Sequence, residues 1–244
     1  SLYHVLEEKG REPQYDGYVE SFTENWEKLE RYDNNAPKTM NAHLHVLEAY
    51  TLLYQCWKDN GLKKRLEFCV DLFMNRIYDP SRRHFNLFFD NEWNSLVEMD
   101  SYGHDVETGW LLCEAARTLE NQDLIKRTNL LALDVTGACL AEGMSDKGYM
   151  IYEKKGDRKT KHASWWGQVE TMIACVNAWQ ISGDEAWLQS ADTVWTFVKD
   201  HMVDKEYGEW YSDCFDGEPK KGAPKVSMWR CPYPVSYTHL RAHE

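Results

Sequence analysis

The chain has 244 residues, 43% of them hydrophobic, and a formal net charge of −12. That is enough apolar material for a sizeable core, which excludes a disordered chain. No dense Lys/Arg run interrupts the acidic balance, so nucleic acid and anionic membranes are poor partners and a neutral ligand fits better.

Tyr15-Asp-Gly-Tyr18-Val-Glu-Ser-Phe22 reads as a short hairpin. Three similar units follow, each about sixty residues long. Each unit opens with an apolar helix, predicted over 40–57, 105–119 and 166–182. A turn comes next: Asp59-Asn-Gly61, Glu120-Asn121 or Ser182-Gly-Asp184. An amphipathic helix then spans 62–77, 123–141 or 185–201. Leu66, Cys69, Val70 and Phe73 mark its apolar face in the first unit, and Leu188, Ala191, Val194 and Trp195 in the third. Each unit closes on Asp and an alternating aromatic run: Asp79 to Phe89, Asp146 to Tyr152, Asp204 to Tyr211. Period-two alternation predicts a short strand or hairpin. The opening hairpin reads as the tail of a preceding unit.

The repeat predicts an all-α protein of helix pairs closing into a ring, the (α/α)6 barrel arrangement. Three pairs make half such a ring, so upstream pairs are expected in the parent protein. An open solenoid of three repeats is the alternative.

Candidate chemistry sits where the inner helices begin. His45 and Glu48 recur as His104 and Glu107, 59 residues on. One helical turn separates His from Glu, so both project from one face. Asn41 shares a face with His45, whereas His43 points elsewhere. Gly103 permits a tight entry to the second helix. The helix N-terminus disfavours imidazolium, leaving the His104 imidazole neutral and basic. The third unit keeps Glu170 but has Gly167 in the His position. Its adjacent Trp165 and Trp166 cannot both face the core. Trp229 precedes a turn anchored by Pro232. No phosphate loop, nucleophile elbow or zinc spacing is present. A di-iron site needs Glu-x-x-His in the reverse order, so no metal is expected.

Eleven Trp and fourteen Tyr supply flat faces suited to sugar rings, although most are expected in the core. The seven Cys show no CxxC spacing and read as buried thiols in a reducing, cytoplasmic setting. No stretch of eighteen apolar residues exists, so nothing is expected to span a membrane.

The segments Asn41-Ala-His-Leu-His45-Val-Leu-Glu48, Ser101-Tyr-Gly-His104-Asp-Val-Glu107-Thr-Gly-Trp110, Trp165-Trp166 and Trp229-Arg-Cys-Pro-Tyr233 resemble the N-acylglucosamine 2-epimerase superfamily. The Ser-Tyr-Gly-His-Asp form is similar to its cellobiose 2-epimerase branch. The resemblance covers residues up to 233 and implies part of an (α/α)6 barrel and a cofactor-independent sugar 2-epimerase. Such an enzyme converts the reducing-end glucose of β-1,4-disaccharides to mannose through an enediolate. It implies His104 as a catalytic base, with Glu107 assisting and His45 at the enediolate oxygens. Asn41 and Asp33 would bind hydroxyls, and Trp165, Trp166 and Trp229 would stack on sugars. The expected partner is a small oligosaccharide, and the expected state a monomer. Alternatives are an N-acylglucosamine 2-epimerase, an aldose–ketose isomerase of the same fold, or a non-catalytic glycan-binding remnant. A glycoside hydrolase is disfavoured, because the inner helices offer His–Glu pairs rather than paired carboxylates.

Two departures stand out. The family pattern places a second catalytic His where this chain has Pro234, and the family's earlier helix pairs supply a catalytic Arg. Residues 234–244 fit neither the family nor a helix and are expected to form a disordered, foreign tail. The chain as it stands is therefore expected to be inactive.

Overall fold

Thr39 starts the first long helix by accepting a hydrogen bond from the Ala42 amide on its side chain. The computed structural model in which this is seen describes residues 1–29, 32–227 and 230, the side chain of Asp33 excepted. Expectations for Trp229 and for 234–244 lie outside the described residues. The chain forms two units, residues 1–100 with 111–128 and residues 101–110 with 129–244.

The first unit opens with α1 (Leu2–Val5), which runs on into a π-helical turn at Leu6–Gly10. No helix was expected there. Strand β1 (Lys38–Thr39) leads into α2 (Met40–Cys56). Asp59, read as a turn residue, caps α3 (Asn60–Leu72) by accepting from the Gly61 and Leu62 amides. A π-helical turn, Phe73–Ile77, extends α3. Strand β2 (Tyr78–Asp79) pairs antiparallel with β3 (His84–Phe85), the predicted hairpin. Strand β4 (Phe88–Phe89) pairs with β1, and β5 (Met99–Asp100) ends this stretch.

Helices α2 and α3 pack against each other. Leu44, Leu47, Leu66, Cys69, Val70 and Phe73 are fully buried, including all four residues expected on the face of α3. Each large side chain so removed from water contributes roughly 1.5–3 kcal/mol. The buried charge of Lys38 is matched by acceptors. The ammonium of Lys38, wholly buried, donates to Glu12 Oε2 at 3.2 Å and to the carbonyls of Asp16 and Asn91 at 2.7 Å.

Helices α4 (Tyr102–Thr118) and α5 (Gln122–Gly143) each cross the division between units, after Trp110 and after Thr128. The second unit contains β6 (Lys154–Lys155) paired with β7 (Arg158–Lys159). It also contains a three-stranded sheet of β8 (His162–Ser164), β9 (Asp213–Phe215) and β10 (Glu218–Pro219), with β9 central. Between β8 and β9 run α6 (Trp165–Ser182) and α7 (Ala186–Phe197), which pack on one another. Gly183 ends α6 in the left-handed conformation, φ 73°, donating to Trp179 O. Val194 is buried as expected on α7, but Trp195 is 40% exposed and leans on Trp210. It is a surface side chain rather than part of the core face.

The six predicted long helices are thus present, with α4 beginning three residues early, and the first and third pairs pack helix on helix. Six cysteines lie among the described residues as thiols, and all but Cys56 are buried. Burial pushes the Cys69 and Cys175 thiols up to about 12. No described helix is long and apolar enough to cross a membrane.

Candidate functional site

The start of α4 is packed so that two side chains remain accessible. Between Ser101 and Trp110 every residue is buried except His104 and Glu107, which are half-buried and one turn apart. Ser101 precedes the helix and its carbonyl accepts from the Asp105 amide. Its hydroxyl lies 2.7 Å from His104 Nδ1, a hydrogen bond that orients the imidazole and engages one ring nitrogen. Trp166 packs on the same imidazole, with ring centroids 4.6 Å apart.

That contact explains Gly103. A Cβ there would come 2.7 Å from Trp166 Cζ3 and 3.2 Å from the Gly167 Cα. The glycine serves close approach of α6 rather than the tight entry expected of it. Farther along, Trp110 Nε1 donates to Glu170 Oε2 at 2.8 Å, with both residues buried. The third-unit Glu is therefore bonded to α4 inside the protein.

Helix α6 is held at its start by several independent bonds. Ser164 caps it, accepting from the Gly167 amide. Buried Gln168 accepts from the Met150 amide and donates to the Met150 carbonyl, as a strand would. The Trp165 amide donates to Ser212 O at 2.9 Å. His162 Nε2 donates to Asp213 Oδ1 at 2.6 Å, and the Ser212 hydroxyl donates to the other oxygen. The His162 bond holds the Asp213 carboxyl below its ordinary range. Trp165 and Trp166 are both half-buried, so neither is a pure core residue. The Arg230 guanidinium lies over the Trp165 ring, 5.3 Å from its centroid.

In the first unit, Asn41 and His45 lie on the accessible stripe of α2, Asn41 half-buried and His45 exposed. His45 Nδ1 donates to Glu48 Oε2 at 3.0 Å, the i, i+3 contact that the spacing predicts. Nδ1 then carries the proton and Nε2 the lone pair. His43, two residues away, is wholly buried and points elsewhere. It donates from Nδ1 to Thr39 O at 2.7 Å and accepts at Nε2 from the Tyr18 amide at 2.8 Å. Burial lowers its pKa to about 4, so it is a neutral structural residue. The side chains of Asp33 and Trp229 are outside the described set.

A family model for N-acylglucosamine 2-epimerase (GlcNAc 2-epimerase) matches residues 1–227. The chain belongs to the N-acylglucosamine 2-epimerase family. It is 38% identical over 242 residues to the cellobiose 2-epimerase of Bacteroides fragilis, covering 95% of this chain and 61% of that protein. It is 34% identical to the cellobiose 2-epimerase of Dictyoglomus turgidum, covering 95% and 60%. The structure of cellobiose 2-epimerase from Bacillus thermoamylovorans B4167 superposes with a TM-score of 0.93 at 34% identity, covering 99% of this chain and 63% of that one. The chain therefore spans about three fifths of the length of these relatives.

Several residues of this 2-epimerase-family chain escaped the sequence reading. Ser101, Gln168, the His162–Asp213 pair and Arg230 carry no periodic signal of their own. Their importance comes from partners 3 to 65 residues away in sequence. Ser101 was legible in principle, since a hydroxyl three residues before a His at a helix start is a capping position.

Proposed function

We propose that the chain is part of a cofactor-independent sugar 2-epimerase built as an (α/α)6 barrel. Its substrate is the reducing-end glucose of cellobiose-type β-1,4-disaccharides, and its product carries mannose at that end. The observation that carries this reading is His104, accessible at the start of α4, bonded to Ser101 and packed on Trp166.

The reaction requires a base to take the C2 proton beside the aldehyde of the opened sugar. An acid on the opposite face must return one. With the Ser101 hydroxyl accepting from Nδ1–H, the basic lone pair is on Nε2 of His104. Glu107, on the same face, assists ring opening or holds a hydroxyl. Trp165 and Trp166 offer stacking faces, and the family resemblance assigns Trp229 the same task. It also assigns His45, oriented by Glu48, and Asn41 to the enediolate oxygens and hydroxyls, and Asp33 to a hydroxyl. Pro234 stands where the family pattern has the second base, so the inactivity expected of this chain is loss of epimerisation: His104 can still remove the C2 proton, and return to the opposite face fails.

The test is NMR of cellobiose with the purified 244-residue chain in D2O. Deuterium is expected at C2 of the reducing-end glucose, dependent on His104, without build-up of the mannose epimer. Pro234→His is expected to raise the epimer. Wild type exchanging no faster than His104→Ala would overturn the epimerase reading. Appearance of a fructose end instead of mannose would mark an aldose–ketose isomerase.

A further inference from the structure

Arg230 is 6% exposed, yet the one hydrogen bond its guanidinium makes among the described residues is from Nη2 to the Trp210 carbonyl at 2.9 Å. Its Nε and Nη1 are buried and have no acceptor among the described residues. Glu209, at 3.8 Å, is a weak counter-charge because its own side chain is largely exposed. A buried guanidinium with idle donors is costly unless something supplies acceptors. Desolvation accordingly pulls its pKa down, against the pull of Glu209 and Asp213. The guanidinium lies over Trp165. A cation fixed beside an aromatic face, with donors in reserve, is how a protein grips a polar ligand that also has an apolar face.

We infer that Arg230 is a sugar-binding residue whose Nε and Nη1 donate to oxygens of the sugar unit packed beside Trp165. This rests on the epimerase reading and extends it to substrate length. Consecutive residues of a helix point about 100° apart. Trp166 accompanies His104, the proposed base, whereas Trp165 accompanies Arg230. The reacting glucose belongs with the first pair and its neighbour with the second. Arg230 then favours a disaccharide over free glucose. The net charge of −12 favours a neutral ligand here over an anionic one.

Calorimetric titration of the 244-residue chain with cellobiose and with glucose tests this, alongside thermal melts. Arg230→Met keeps the apolar stem and removes the donors; Arg230→Lys keeps the charge. The expected result is that Arg230→Met melts at or above wild type and binds cellobiose about tenfold or more weakly, with glucose binding unchanged. Arg230→Lys should fall between. Cellobiose binding by wild type that both variants match would overturn this inference and leave the epimerase reading standing. An Arg230→Met chain that melts well below wild type, with Arg230→Lys binding cellobiose normally, would make Arg230 structural and overturn it too. Wild type binding neither sugar would overturn both.

Discussion

The indole of Trp166 fills the space that a side chain at Gly103 would occupy: a Cβ there would lie 2.7 Å from Trp166 Cζ3. The same indole rests on His104. Backbone packing of α6 on α4 and orientation of the proposed base are therefore one arrangement.

Gly103→Ala should disturb both. The Gly167 Cα, 3.2 Å from the new methyl, cannot swing away as a side chain would. Overpacking of this kind costs about 1–3 kcal/mol. Urea denaturation should show a lower midpoint, and tryptophan emission should shift in the folded state. An unchanged midpoint would mean that α6 yields at no cost.

Trp110→Phe tests the buried bond between α4 and α6. The substitution keeps most of the ring and removes the donor to Glu170. Leaving a buried carboxylate with one donor fewer should destabilise by about 1–3 kcal/mol. Glu170→Gln, which can still accept, should cost less. Equal losses in the two variants would mean that the carboxylate charge of Glu170, and not only the count of donors, carries the bond.

Acid should weaken the first unit through His43. The folded imidazole titrates at about 4 against an ordinary value of 6.5. As pH falls below about 6.5, the unfolded chain takes a proton that the folded chain refuses. The unfolded state binds more protons in that window, so stability declines from pH 6.5 towards 4. The loss is at most about 3 kcal/mol, at 1.36 kcal/mol per pKa unit. Asp16, depressed to about 2 by its bonds to Arg11 and Arg65, withdraws its own contribution only at lower pH. Denaturation at pH 7, 5.5 and 4.5 should show the decline in wild type and a flatter profile in His43→Gln. The same slope in both would remove His43 as its source.

His104→Asn should separate binding from chemistry. Cellobiose affinity is expected within a few-fold of wild type, while C2 deuterium exchange falls by about 10²–10⁴. Ser101→Ala removes the orienting hydroxyl and should reduce exchange less, with binding preserved. If His104→Asn exchanged as fast as wild type, the base would have to be sought elsewhere.

The period of about sixty residues carried the six long helices, because apolar spacing records which face of a helix is buried whatever lies opposite. Leu66, Cys69, Val70 and Phe73 show this, all four being fully buried. Trp195 shows the limit: its spacing matches the apolar face of α7, but it lies at the rim of that face and stays 40% exposed. The i, i+3 link of His45 to Glu48 was legible for the same local reason, since both ends sit on one helix.

Sequence alone determined the six long helices, the turns between them and the accessible His-x-x-Glu faces, all of which depend on residues a few positions apart. Tertiary structure decided what each repeated residue does. Glu48 accepts from His45, Glu107 stays half-buried, and Glu170 is bonded inside the protein to Trp110. Only packing decided that Gly103 must be small, that His43 is neutral, and that Arg230 holds donors in reserve over Trp165. The physical reason is that burial and hydrogen-bond satisfaction are set by neighbours distant in the chain, and local periodicity carries no record of them.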